Sequence, residues 1–180
     1  MIRLIFLFLP LLLIAPSQAQ ERPPAGYASP NICPFECCTY RQWTADEDIP
    51  VHARRNDQSA VVFRLRRGEK LRALGGVIIT NKAGVIRIDH EVEDGYVNGS
   101  DAPQLTLKEG DVIYMLSPLG EGAYLFWYEG KVYRSGNDLR GMPEVDGAQL
   151  DMTWWKHVKN KAGKTGWTHS DKFNHADACG

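Results

Sequence analysis

Short runs in which apolar and polar residues alternate, separated by turns rich in glycine, asparagine and charge, fill the chain from residue 38 to residue 173. A period of two sends successive side chains to opposite faces, so such runs read as strands with one buried and one wet face. The pattern predicts strands over 38–43, 49–53, 60–65, 70–74, 112–116, 123–128 and 131–134. It also predicts a hairpin of 77–80 against 85–88, turning on Asn81-Lys82-Ala83-Gly84. The clearest hairpin lies near the C-terminus, where Trp154-Trp155-Lys156-His157-Val158 and Gly166-Trp167-Thr168 flank an Asn/Lys/Gly turn. Gly163 and Gly166 are the residues there able to take a positive φ. No stretch of twelve residues carries a helical period, and the expected class is all-β.

One spacing recurs. Leu65-x-x-Gly68-Glu69-x-Leu71-x-x-Leu74 aligns with Leu107-x-x-Gly110-Asp111-x-Ile113-x-x-Leu116, each position 42 residues on. A repeated strand–turn–strand of this kind predicts two small modules, and 180 residues is enough chain for both. Between 135 and 151 runs a 17-residue connection with three glycines and one proline, expected to flank a groove beside the Trp154 hairpin.

The first 19 residues carry one charge, Arg3, then an apolar run from Leu4 to Ile14 and the small-residue site Ser17-Gln18-Ala19. They read as a secretory signal peptide, because the apolar core falls far short of the roughly 20 residues needed to span a bilayer. A periplasmic or secreted address follows, with no membrane span expected. The whole chain has 21 basic and 22 acidic residues, and without Arg3 the balance is −2. That charge gives no basis for a nucleic-acid partner. Export makes disulfides the natural use of the four cysteines, Cys33, Cys37, Cys38 and Cys179. A vicinal Cys37–Cys38 bond would strain the backbone, so Cys179 is expected to pair with one of those two and Cys33 with the other. Their spacing matches no zinc finger or ribbon, and no metal site is expected.

The frame Trp154-Trp155…Gly163-x-x-Gly166-Trp167-x-x-Ser170 resembles the corresponding run of SH3 and bacterial SH3-like domains. The arm Cys33-Pro34-Phe35-Glu36-Cys37-Cys38-Thr39-Tyr40-Arg41-Gln42-Trp43, with Cys179, is similar to that of a group of exported bacterial SH3-like proteins. The resemblance implies small SH3-like barrels, here two in tandem, with a disulfide-stapled N-terminal arm. Trp154 would line the ligand groove and Trp167 would be largely core. His169 stands where the eukaryotic pattern has proline and the acidic-aromatic motif of the first strand is absent, so proline-rich peptides are not the expected ligand. The implied organisation is a signal peptide at 1–19 and a flexible cysteine-containing arm at 20–37. A first module at 38–95, a second at 96–174 and a tail with Cys179 at 175–180 follow.

Aromatic residues crowd the second half. Tyr124, Phe126 and Tyr128 fall on one face of a strand and Leu125 and Trp127 on the other, while Trp154 and Trp155 must oppose each other. Trp154, Trp155, Trp127 and Tyr128 are the candidate ligand-binding residues, suited to stacking on sugar rings or peptide side chains. The basic group Arg54, Arg55, Arg64, Arg66, Arg67, Lys70 and Arg72 reads as a solvated face. Catalytic patterns are missing. Gly163-Lys164-Thr165 ends like a phosphate loop, but Val158 occupies the earlier glycine position, and His90-Glu91 lacks a second histidine. No Gly-x-Ser-x-Gly elbow occurs. The expected function is a non-catalytic binding module without cofactor, meeting a cell-wall peptide or glycan. The alternative is an accessory module for an envelope protein.

Overall fold

A computed structural model describes residues 21–97, 100–136, 149–174 and 176. The chain is all-β: among the described residues there are fourteen strands and no helix. They are β1 (Tyr27–Pro30), β2 (Gln42–Ala45), β3 (Ile49–His52), β4 (Val61–Leu65), β5 (Lys70–Lys82), β6 (Gly84–Arg87) and β7 (Val92–Asp94). After these come β8 (Leu105–Leu107), β9 (Val112–Gly120), β10 (Ala123–Tyr128), β11 (Lys131–Arg134), β12 (Asp151–Lys159), β13 (Thr165–Thr168) and β14 (Phe173–Asn174).

The largest sheet runs β14-β2-β5-β12-β13-β3-β4, with β1 also paired to β5. Its spine is β5, whose start pairs with β2, whose end pairs with β1, and whose other edge carries β12 throughout. The sheet curls into a half-barrel around Trp43, Ala45, Ile49, Val51, Leu65, Leu71, Ala73 and Val158. Alternation explains the choice: Leu71 and Ala73 point inward, while Lys70 and Arg72, which alternate with them, are exposed. Opposite Ala73 and Gly75 the pairing slips past Leu74, a bulge that turns Leu74 to solvent and resets which residues face inward.

Strands β11-β10-β9-β6 form a second sheet and β7-β8 a third ribbon. Around these lies a separate core of Ile86, Ile88, Leu107, Ile113, Met115, Phe126 and Tyr133. The pairings repeat those of the first unit: β6 on β9 matches β2 on β5, β7 on β8 matches β3 on β4, and β10–β11 matches β12–β13. The bridge Tyr96–Arg134 corresponds to the pairing of Trp167 with His52. The sequence repeat marks the same turn in both units. Gly68 and Gly110 have φ of 80° and 92°, which favours glycine. The acid one residue later accepts a bond from the amide three residues before it, Glu69 from Arg66 (3.0 Å) and Asp111 from Lys108 (2.9 Å).

Two expectations change here. Residues 77–80 and 85–88 do not pair with each other; β5 stays in the half-barrel while β6 crosses to β9. Sheet membership also divides the chain differently from a boundary at 95/96. The second unit, residues 84–136, is inserted between β5 and β12, and the Trp154 hairpin completes the first unit. The two units meet where the buried Thr80 hydroxyl donates to the Leu116 carbonyl (2.8 Å). Within the arm expected to be flexible, residues 27–30 form β1 on β5.

Candidate functional site

Three neighbouring segments wall a cleft of about 770 Å³: the arm at Pro34 and Phe35, strand β12 at Met152, Thr153, Trp154 and Lys156, and the run from His169 to Asn174. Its floor is Trp43, fully buried in the core, with Trp154 half-buried above it at a centroid distance of 6.1 Å. Trp154 is fixed on its remaining sides. Phe35 meets it edge-on at 5.7 Å, and its indole N–H donates to the Tyr40 hydroxyl at 3.1 Å. That hydroxyl in turn donates to the Ile32 carbonyl at 2.9 Å. Burial raises the Tyr40 hydroxyl above its ordinary value of 10.0, and the bond from Trp154 opposes this only in part. Gly76 faces the pair across the sheet; a Cβ there would stand 2.2 Å from the Tyr40 oxygen and 2.5 Å from the Trp154 nitrogen. Only glycine leaves room for this hydrogen-bonded pair.

Cys33 and Cys38 are joined, with Cα atoms 5.7 Å apart, closing the six-residue ring that carries Pro34 and Phe35. The disulfide therefore holds the arm as a wall of the cleft. Cys37 is also disulfide-bonded. Cys179 lies outside the described residues, as do residues 1–19, read as a signal peptide, and most of the 135–151 connection.

Lys156 shares the inward face with Trp154 and Val158 and is fully buried. Its ammonium donates to the carbonyls of His169 (3.0 Å) and Ser170 (2.8 Å) and to Asp171 Oδ1 (2.5 Å). It also lies 4.3 Å from the centre of the Trp154 ring. Burial pushes Lys156 below its ordinary 10.5, while the bond to Asp171 pulls the other way. All three of its hydrogens are spent on anchoring the 169–171 wall to β12. His169 is held too, edge-on to Trp155 at 4.9 Å with Nε2 3.0 Å from Asp57 Oδ1.

Of the four predicted ligand residues, Trp154 alone lines this cleft. Trp155 is 6 % exposed and packs against the His169 ring. Trp127 and Tyr128 sit on β10 in the inserted unit. Trp127 donates to the Glu21 carbonyl at 2.9 Å and lies edge-on to Tyr27. Tyr128 packs on the second core and donates to Asp111 Oδ2 at 3.0 Å. Burial, and then Asp111, pushes its hydroxyl up to about 12. Trp167, which the resemblance places in the core, stacks instead on His157 (4.6 Å) beneath the Arg55 guanidinium, outside either core. Gly166 has no positive φ; its role is close packing, since a Cβ would meet Val51 and His52 at under 3 Å.

The sequence reading passed over Lys156, Tyr40, Phe35, Phe173 and Asp171. A signal existed for the lysine, since alternation from Trp154 to Val158 forces position 156 inward. Among the described residues no three His, Cys, Asp or Glu side chains converge as a metal site, and no helix is long and apolar enough to cross a membrane. Comparison with protein-family models, with curated sequences and with solved structures finds no match to this chain.

Proposed function

We propose that the chain is an exported, non-catalytic binding module of SH3-like type whose ligand, a cell-wall peptide or glycan, seats in the cleft beside Trp154. The observation that carries this reading is the cleft itself: about 770 Å³, with Trp154, Phe35 and Phe173 presented on a wall braced by a disulfide and a buried lysine. Ligand sites have this character, concave and aromatic with a few fixed polar groups. The SH3-like assignment is supported by the curled sheet, the Trp154 hairpin on the long β5, and the repetition of that scheme in the inserted unit. The cell-wall assignment rests on the resemblance of the arm and hairpin motifs. A non-catalytic role fits a cleft whose lysine and histidine are already committed to structural bonds.

The test is an NMR titration of the five tryptophan indole N–H signals with soluble peptidoglycan fragments. The Trp154 signal should shift saturably while those of Trp127 and Trp167 stay in place. Shifts confined to Trp127, or none at all, would refute the assignment.

A further inference from the structure

Among the described residues that line the cleft are one lysine and one carboxylate, and their states differ. Every hydrogen of Lys156 is given to an oxygen of His169, Ser170 or Asp171, and its side chain is only 1 % exposed. It has nothing left for a ligand anion. Asp171 spends Oδ1 on Lys156, but its side chain is 82 % exposed and, among the described residues, Oδ2 has no partner. Asn174 directs its amide N–H to Asp46, which leaves its carbonyl oxygen as a further acceptor. His169 uses Nε2 on Asp57. Lys172 is adjacent in sequence but does not line the cleft. The charged capacity that remains is an acceptor, lining the same cleft as Met152, Phe35 and Phe173.

We propose that this cleft recognises a free primary ammonium on an aliphatic stem, a lysine-like amine of the ligand peptide, with the stem along Phe35, Met152 and Phe173 and the nitrogen at Asp171 and Asn174. The proposal rests on the binding-module reading and narrows it to a ligand class. An anionic or fully acylated ligand would leave Asp171 facing either like charge or an amide that returns no charge. An ammonium at this exposed carboxylate forms a charge-assisted pair, stronger than its neutral counterpart but screened by solvent.

Two probes separate the outcomes on the wild-type protein. Nα-acetyl-lysine-N′-methylamide should shift the Asp171 amide and the Trp154 indole in a saturable NMR titration. Its Nε-acetyl derivative, equal in stem but neutral, should bind weaker by about two- to fivefold, the size of an exposed ion pair. Equal response to both, or no response to the amine, overturns the inference. Asp171→Asn should erase the preference; because Asp171 also bonds Lys156, its fold is checked by thermal melting, and the wild-type comparison decides if it fails to fold. A second arm uses purified peptidoglycan sacculi before and after acetylation of their amines with acetic anhydride. Loss of co-sedimentation on acetylation supports the inference. Equal sedimentation with both sacculi overturns it and leaves the binding-module reading standing. An amine-selective NMR response without sedimentation on either supports the inference and removes the cell-wall assignment.

Discussion

Replacing Gly76 by alanine tests the construction of the cleft at its tightest point. The new methyl would stand 2.2 Å from the Tyr40 hydroxyl oxygen and 2.5 Å from Trp154 Nε1. Neither neighbour is a free chain end. The hydroxyl is tied to Ile32, the indole to the hydroxyl, and the indole ring is wedged between Phe35 and Trp43. Relief requires both hydrogen bonds to break, at about 1 kcal/mol each, with overpacking strain of about 1–3 kcal/mol besides. The expected loss is therefore about 3–5 kcal/mol in urea unfolding, with the transition followed by far-ultraviolet circular dichroism. Tyr40→Phe removes the closer of the two obstructing atoms. In the Gly76→Ala/Tyr40→Phe double variant the losses should fall short of the sum of the singles by at least about 1 kcal/mol, the sign of a shared clash. Additive losses, or a Gly76→Ala protein as stable as wild type, would refute the packing described for Gly76, Tyr40 and Trp154.

Lys156→Met gives a prediction in pH. Burial, outweighing Asp171, holds the lysine below its ordinary 10.5, so between its folded value and 10.5 the unfolded chain binds more protons and wild-type stability gains as pH rises. The stability difference between wild type and Lys156→Met should move toward the wild type as pH rises to 10.5; a flat difference would contradict the burial of a charged lysine. Partial reduction with cyanylation mapping should recover Cys33 joined to Cys38 and Cys37 joined to Cys179. A free thiol, or Cys38 joined to Cys179, would contradict the pairing. The Cys33→Ser/Cys38→Ser variant loses a six-residue cross-link worth about 2 kcal/mol in the chain-entropy model. Hydrogen exchange around Phe35 should accelerate in that variant while the core strands β9 and β10 stay protected.

Local pattern carried the strands and turns far better than it carried their partners. Alternation placed β3, β4, β10, β11 and the β12–β13 hairpin, and the Leu-x-x-Gly-acid spacing marked the same hydrogen-bonded turn twice. Pairing is another matter. Trp154 lies opposite Ile78 across 76 residues of sequence, and nothing local distinguishes that partner from the nearer strand at 85–88. Hence the insertion of one unit into the other was not legible, and 77–80 was expected to fold back on its immediate successor. The side-chain reading failed where identity outweighed position. The resemblance placed Trp167 in the core, yet strand phase puts it outside, while Trp43 and Lys156 are fully buried because phase puts them inside. Phase said only that Trp154 and Trp155 oppose each other; the motif resemblance singled out Trp154, which lines the cleft. Its neighbours Phe35 and Phe173 come from the arm and the last strand, which only the disulfide ring and the β14–β2 pairing bring close.

The most direct test of the binding account is co-sedimentation of the protein with purified peptidoglycan sacculi, comparing wild type with Trp154→Ala and Trp127→Ala. Trp154 is half-buried, so its truncation should cost less than the roughly 3–5 kcal/mol of a core tryptophan, and each variant is first shown to melt cooperatively. The account predicts that wild type and Trp127→Ala pellet with the sacculi and that folded Trp154→Ala remains in the supernatant. Pelleting of folded Trp154→Ala at the wild-type level, or loss of binding in Trp127→Ala instead, would contradict it.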